Sequence, residues 1–231
     1  MGWTHGPLLG FDTETTGVDP TRDRVVTVAL VRRDASGTVA RTWLLDPGVE
    51  IPAAATAVHG ITTEHARAFG RPPREALEEV ATEIAKAFAT GTPVVAFNAC
   101  YDLTLLEHEL RRHRLPTVAE RLGGPLRPVV DPLVLDREHD RYRRGKRTLG
   151  TLCEVYGVTP SEGGLHSAEV DVLATLDVLG RMVERFPALA ELDVESLHEA
   201  QVVAHRRWAE DFNSWLEKRG RRGDVSPDWP V

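Results

Sequence analysis

The order of apolar runs along the chain predicts an α/β fold with a mixed sheet flanked by helices. Three observations carry this reading. A short apolar run at residues 7–11 ends in acid and reads as a buried strand. Two β-branched-rich runs, 25–31 and 39–45, flank a turn-like Asp34-Ala35-Ser36-Gly37. Beyond residue 74, stripes at helical spacing alternate with short apolar runs.

The first three runs form a meander that opens the sheet, and a loop follows through Pro47 and Pro52. Leu77, Val80, Ala81, Ile84 and Phe88 place a helix over 74–88. A buried strand at 93–97 then feeds a helix at 102–113, and a last strand covers 129–131. Helices follow at 148–156 and 168–185, the second carrying Val172, Leu176, Leu179 and Val183 on one stripe. A further helix spans 195–219, with a basic end at Lys218 and Arg219 before Gly220. The tail to Val231, charged and with two prolines, is expected to be loosely ordered.

A chain of 231 residues with 42% hydrophobic and 27% charged residues can bury a full core, which argues against wholesale disorder. Residues 1–190 are read as the main domain and 191–231 as an amphipathic helix with a tail. No apolar stretch is long enough for a membrane span, and the N-terminus shows no secretory pattern. Cys100 and Cys153 lack metal-ligand spacing and are expected as free thiols in a reducing cytoplasm. The net charge of −7 speaks against coating nucleic acid through bulk positive charge. It leaves room for an enzyme that grips one chain end.

Three constellations carry chemistry. In Phe11-Asp12-Thr13-Glu14-Thr15-Thr16-Gly17, the acids at i and i+2 project from one side of a strand. Crowded carboxylates repel unless a hard cation neutralises them, and Mg²⁺ and Mn²⁺ prefer such oxygen ligands. The same segment superficially matches an EF-hand loop, but a strand leads in and Pro20 interrupts it. The second constellation is Phe97-Asn98-Ala99-Cys100-Tyr101-Asp102, a strand running into a helix, where Asp102 taken alone reads first as an N-cap. The third is His166-Ser167-Ala168-Glu169-Val170-Asp171, preceded by Gly163-Gly164, a pair that allows a loop to swing in.

In this order the three resemble the Asp-x-Glu, Asn-Ala-x-(aromatic)-Asp and His-x-Ala-x-x-Asp motifs of the DEDDh 3′–5′ exonucleases. That group includes the proofreading epsilon subunit of bacterial DNA polymerase III. Val58-His59-Gly60-Ile61-Thr62 matches a secondary signature, and Phe97 departs mildly where many members carry His. The resemblance spans roughly residues 7–185 and implies an RNase H-like fold with a five-stranded mixed sheet. It implies that Asp12, Glu14, Asp102 and Asp171 hold two divalent cations, Mg²⁺ or Mn²⁺, with Asp12 bridging. His166 would take the proton from the attacking water, a role its ordinary pKa suits.

The substrate implied is a nucleic-acid 3′ end, DNA before RNA, and the possible partners are DNA polymerase III subunits. Candidate substrate contacts are Thr15, Thr16, His59, Phe97, Asn98 and Tyr101, together with Arg143, Arg144 and Arg147 of the densest basic segment. The stripe Trp208, Phe212, Trp215 reads first as core clamped back on the nuclease domain. A partner interface and a nucleic-acid stacking platform stand as alternatives.

Overall fold

The computed structural model describes residues 2–160, 165 and 167–231. Its centre is a mixed five-stranded sheet in the order β3-β2-β1-β4-β5. The strands are β1 (Leu8–Thr15), β2 (Val25–Asp34), β3 (Gly37–Leu44), β4 (Val94–Val95) and β5 (Val129–Val130). The first three form the expected antiparallel meander, closing at Asp34 opposite Gly37, and β4 and β5 join parallel to β1.

Around the sheet lie α1 (Ala53–His59), α2 (Thr63–Phe69), α3 (Pro73–Ala89), α4 (Ala99–Arg112) and α5 (Val118–Leu122). The second half adds α6 (Pro132–His139), α7 (Leu149–Tyr156), α8 (Ala168–Arg185), α9 (Ala188–Glu191) and α10 (Val194–Glu217). Side chains alternate across β1, so Leu9 and Phe11 face α3 and α4 while Gly10 and Asp12 face α8. On the first face Leu77, Val80 and Ile84 of α3 meet Leu103, Leu106 and Leu110 of α4. Each such side chain, fully buried, contributes about 1.5–3 kcal/mol. On the second face Val172, Leu176, Leu179 and Met182 of α8 pack on Ala29, Val31 and Val95.

Gly10 sets the spacing of that second face. A Cβ there would lie 2.3 Å from Val172 Cγ1, so only glycine lets α8 rest this close to β1. The close approach brings Asp171, next to Val172, towards Asp12.

Several helices depart from the sequence reading. α1 lies between the loop at Pro47 and Pro52 and the helix read over 74–88, a stretch given no element, because α1 buries no residue and so shows no apolar stripe. α6 starts at Asp131-Pro132, a cap followed by proline at the first helical position, where the sequence suggested a strand end. α4 begins at Ala99, three residues before the expected start at 102. Its N-terminus is held from a distance: Asn98 and Ala99 donate their backbone N–H groups to the Asp131 carboxylate at 3.0 and 2.9 Å.

The C-terminal helix α10 covers the outer edge of β5. Val129 N–H donates to His198 Nδ1 at 3.1 Å, and Asp131 N–H donates to Gln201 Oε1 at 2.7 Å. Gln201 Nε2 in turn donates to Val129 O at 3.0 Å. The tail, expected to be loose, is docked. Asn213 exchanges two hydrogen bonds with the Val225 backbone at 2.8 and 3.1 Å, and Trp229 is buried against His198. Both cysteines are free thiols, and among the described residues no helix is long and apolar enough to cross a membrane.

Candidate active site

The acids of the first and third constellations meet where β1 ends. One carboxylate oxygen from each of Asp12, Glu14 and Asp171 lies within 4.8 Å of the other two. Strand alternation puts Asp12 and Glu14 on the α8 side of the sheet, and the first turn of α8 supplies Asp171. Asp102 approaches from the first turn of α4 on the opposite side of β1. It stands outside that tight trio yet near enough for its charge to raise the pKa of Asp12.

Asp102 is not an N-cap. It is buried, and its Oδ1 accepts from the Thr13 backbone N–H at 3.1 Å and from Thr13 Oγ1 at 2.5 Å. Thr13 faces away from Asp12 along the strand, so it reaches α4 while its neighbours reach α8.

The electrostatics are those of crowded, desolvated acids. Burial pushes Asp12 well above the usual carboxylate range, and the charges of Asp102, Asp171 and Glu14 push it further. Glu14 is pushed up to about 7, chiefly by burial and then by Asp171. Asp102 also rises to about 7, because its burial outweighs the Thr13 hydrogen bonds that favour its charged form. Positive charge beside such groups favours their ionised form. The donors are all oxygens, which suits a hard divalent cation, so the residues fit the metal that the motifs imply.

A cavity of about 340 Å³ opens beside the cluster, lined by Glu14, His59, Ile61, Ser167, Ala168 and Glu169. His59 closes α1, accepts the Ile61 backbone N–H on Nδ1 at 3.1 Å, and faces the Thr15 backbone. Burial lowers its pKa, so its neutral ring forms a wall of the cavity. His166 and the Gly163-Gly164 pair lie outside the described residues.

Other candidates have structural duties. Tyr101 Oη donates to Gly17 O at 2.6 Å and meets Thr15 Oγ1 at 3.0 Å, pinning the turn after β1. Burial raises this phenol to about 12. Thr15 Oγ1 also donates to Gly17 O at 2.6 Å. Thr16 is buried, with Oγ1 donating to Asp23 and accepting from the Arg24 backbone. Phe97 is half-buried against the α8 side of the core. Asn98 is exposed in the left-handed region at φ 63°, which asparagine tolerates, and it forms the hinge between β4 and α4.

The basic loop is divided. Arg143 and Arg147 both donate to the wholly buried Asp136 carboxylate, which also accepts from Tyr156 Oη at 2.7 Å. Arg147 further ties down the Asp140 carbonyl at 2.7 Å. These two arginines therefore fasten the loop to α6, whereas Arg144 is exposed and among the described residues makes no ion pair. The sequence reading missed Asp131 and Gln201, which set the start of α4 and thereby the position of Asp102. An aspartate before proline at a strand end was the available signal for the first of them.

A family model for exonucleases, RNase_T, matches residues 9–179. A DNA polymerase III subunit epsilon-like protein of Rhodobacter capsulatus is 36% identical over 211 residues, covering 88% of this chain and 27% of that protein. A PolC-type DNA polymerase III of Streptococcus thermophilus is 29% identical over 167 residues, covering 71% of this chain and 10% of its own length. This chain therefore spans a small part of those relatives. Among solved structures, exonuclease I of Methylocaldum szegediense aligns with a TM-score of 0.66 at 24% identity, over 87% of this chain and 43% of that one. Exonuclease I of E. coli, solved with a dA16 oligonucleotide, gives 0.67 at 20% identity, over 87% and 44% of the two chains.

Proposed function

Because the chain belongs to the RNase_T exonuclease family, we propose that it removes nucleotides one at a time from the 3′ end of DNA. Cations would be held by Asp12, Glu14, Asp102 and Asp171, with His166 as general base. The observation that carries the proposal is the convergence of Asp12, Glu14 and Asp171, with buried Asp102 close by. When bound, two divalent cations would polarise the scissile phosphate and offset the charge gained by the leaving oxygen.

The chain's own residues supply the rest. His166 accepts the proton of the attacking water as its oxygen bonds to phosphorus, and the bond to the penultimate 3′ oxygen breaks. That oxygen takes a proton from solvent, leaving a nucleoside 5′-monophosphate and a shortened strand. Ser167, the neighbour of His166, lines the cavity beside Glu14, which supports this role. Thr13 holds Asp102, and His59 walls the space where a terminal nucleotide would sit. DNA is favoured because the relatives carry polymerase III names and a structural neighbour was solved with a deoxyoligonucleotide. The same names favour a setting in replication or repair beside a polymerase.

The test is incubation with Mg²⁺ or Mn²⁺ and 5′-labelled single-stranded DNA, mismatched duplex DNA or RNA. The expected result is a ladder of labelled DNA products shortened stepwise. Internal fragments, or cutting of a circular single strand, would refute exonuclease action, and preference for RNA would refute the substrate.

A further inference from the structure

We propose that the aromatic face of α10 and the arginines around it form an accessory site for single-stranded nucleic acid. It would hold nucleotides upstream of the end bound at the acid cluster, and in that respect it rests on the exonuclease reading.

The face is an ordered stack. Trp208 and Phe212 lie 5.4 Å apart with planes 12° from parallel, and Phe212 and Trp215 lie 5.6 Å apart at 13°. Nearly parallel rings at such separations are offset-stacked. Guanidinium groups close both ends: Arg137 of α6 lies 3.5 Å from the Trp208 ring centre, and Arg219 lies 4.0 Å from that of Trp215. The stripe is not core. The inward face of α10 is made by Leu197, Gln201, Ala204 and Leu216, while Trp208 and Phe212 are half-buried and Trp215 is 43% exposed.

Charge selects the occupant. A cleft of about 290 Å³ at the foot of the stack is lined by Arg137, Arg141, Arg147 and Arg207, with Glu138 and Asp211 as its acids. Arg141 pairs with Asp211, Arg207 with Glu138, and Arg147 with buried Asp136. Arg137 faces the buried Asp131 and Asp136, and the adjoining loop adds exposed Arg144 and Lys146, which make no ion pair among the described residues. A surface positive here, on a chain of net charge −7, suits phosphates. The exposed Trp215 ring at the end of the stack, with the Arg219 guanidinium beside it, suits a base and its phosphate.

The direction of α10 links this face to the acid cluster. His198 meets Val129 and Gln201 meets Asp131, so α10 climbs alongside β5 in the direction of the strand. Because β5, β4 and β1 are parallel, this is the edge where Asp12 and Glu14 stand. Trp208 and Trp215 lie about 10 and 21 Å further along the helix than Gln201, beyond the strand ends. A single strand with its 3′ terminus at the acids can thus lay upstream nucleotides along the stack.

The experiment measures anisotropy of a fluorescein-labelled dT strand of roughly twelve nucleotides, in EDTA, with the full chain and with Trp215→Ala and Arg219→Ala. The expected result is wild-type binding that weakens about tenfold in Trp215→Ala, in line with the loss of one stacking partner. Arg219→Ala should weaken binding and lower the salt slope by about 0.7, one phosphate contact. Unchanged affinity in both variants overturns the proposal. So does the absence of wild-type binding, which would leave the face to a protein partner. Adding Mn²⁺ to the wild-type mixture tests hydrolysis separately, so binding without cleavage would sink the exonuclease reading and leave the aromatic site standing.

Discussion

Thr13 holds Asp102 with both its backbone N–H and its hydroxyl, across the body of β1 from the acids that Asp102 must join. A single strand thus presents two carboxylates on one side and orients another from the residue between them. The arrangement ties the separation of the acids to the thickness of one strand, which is nearly rigid.

Replacing Thr13 with Val removes the 2.5 Å hydroxyl bond while keeping the side chain's volume. A lost hydrogen bond to a carboxylate is worth about 1.5–3 kcal/mol, so activity at neutral pH should fall at least about tenfold. That bond lowers the pKa of Asp102, already at about 7, so its loss moves the pKa up. The acid limb of the rate profile should shift to higher pH, and activity should recover in part in alkaline buffer. An unshifted limb would show that Thr13 does not orient the carboxylate.

Asp12 and His166 should separate in cation binding. Asp12→Ala removes a member of the acidic trio and should abolish activity together with Mn²⁺ binding in calorimetric titration. His166→Ala should reduce the rate by about 10²–10⁴, the usual yield of general-base catalysis, while cation affinity stays near that of the native chain. Equal loss of Mn²⁺ affinity in both variants would make the histidine a ligand.

The metal-free protein should lose stability as pH rises. Glu14 and Asp102 both titrate near 7 when folded, above their ordinary values, so the folded chain binds more protons than the unfolded one between those limits. Their contribution is complete in acid below the unfolded pKa and is lost as pH climbs through about 7. In EDTA, Tm should decline across this window, and added Mg²⁺ or Mn²⁺ should raise it more at the alkaline end. A Tm that rises with pH would contradict the assigned burial of these acids.

Arg147 and Arg144 should behave oppositely. Arg147→Ala leaves the wholly buried Asp136 with Arg143 as its remaining ion-pair partner, and should cost about 3 kcal/mol in urea unfolding. Arg144→Ala touches no ion pair among the described residues and should change unfolding by less than about 0.5 kcal/mol. Equal stability of the two variants would remove the structural role given to Arg147.

The features legible in the sequence are those set by local periodicity. Asp12 and Glu14 sit two apart on an extended run, and the stripes of α3 and α8 give their burial directly. What escaped depends on distant partners. The start of α4 is fixed by Asp131, separated from Asn98 by 33 positions, and no local signal reports that. Arg143 and Arg147 looked like phosphate ligands because their acid, Asp136, lies in a short helix that the apolar pattern did not reveal. Thr16 looked available beside the acids, but it is turned inward by Asp23. The aromatic stripe has the spacing of a core face, and only the packing of α10 shows that Leu197, Gln201 and Ala204 take that place instead.

The reach of Gln201 gives the last helix a hereditary claim on the catalytic half of the chain. A cut after residue 190 would strip Val129 and Asp131 of their acceptors and leave the margin of β5 bare. Asp131 is also the anchor of the helix that bears Asp102, so damage at the margin would travel inward to the acids. Gene fusions or shuffled variants that treat 191–231 as a detachable handle would thus inherit a frayed sheet, and grafts that carry α10 along would keep the site whole.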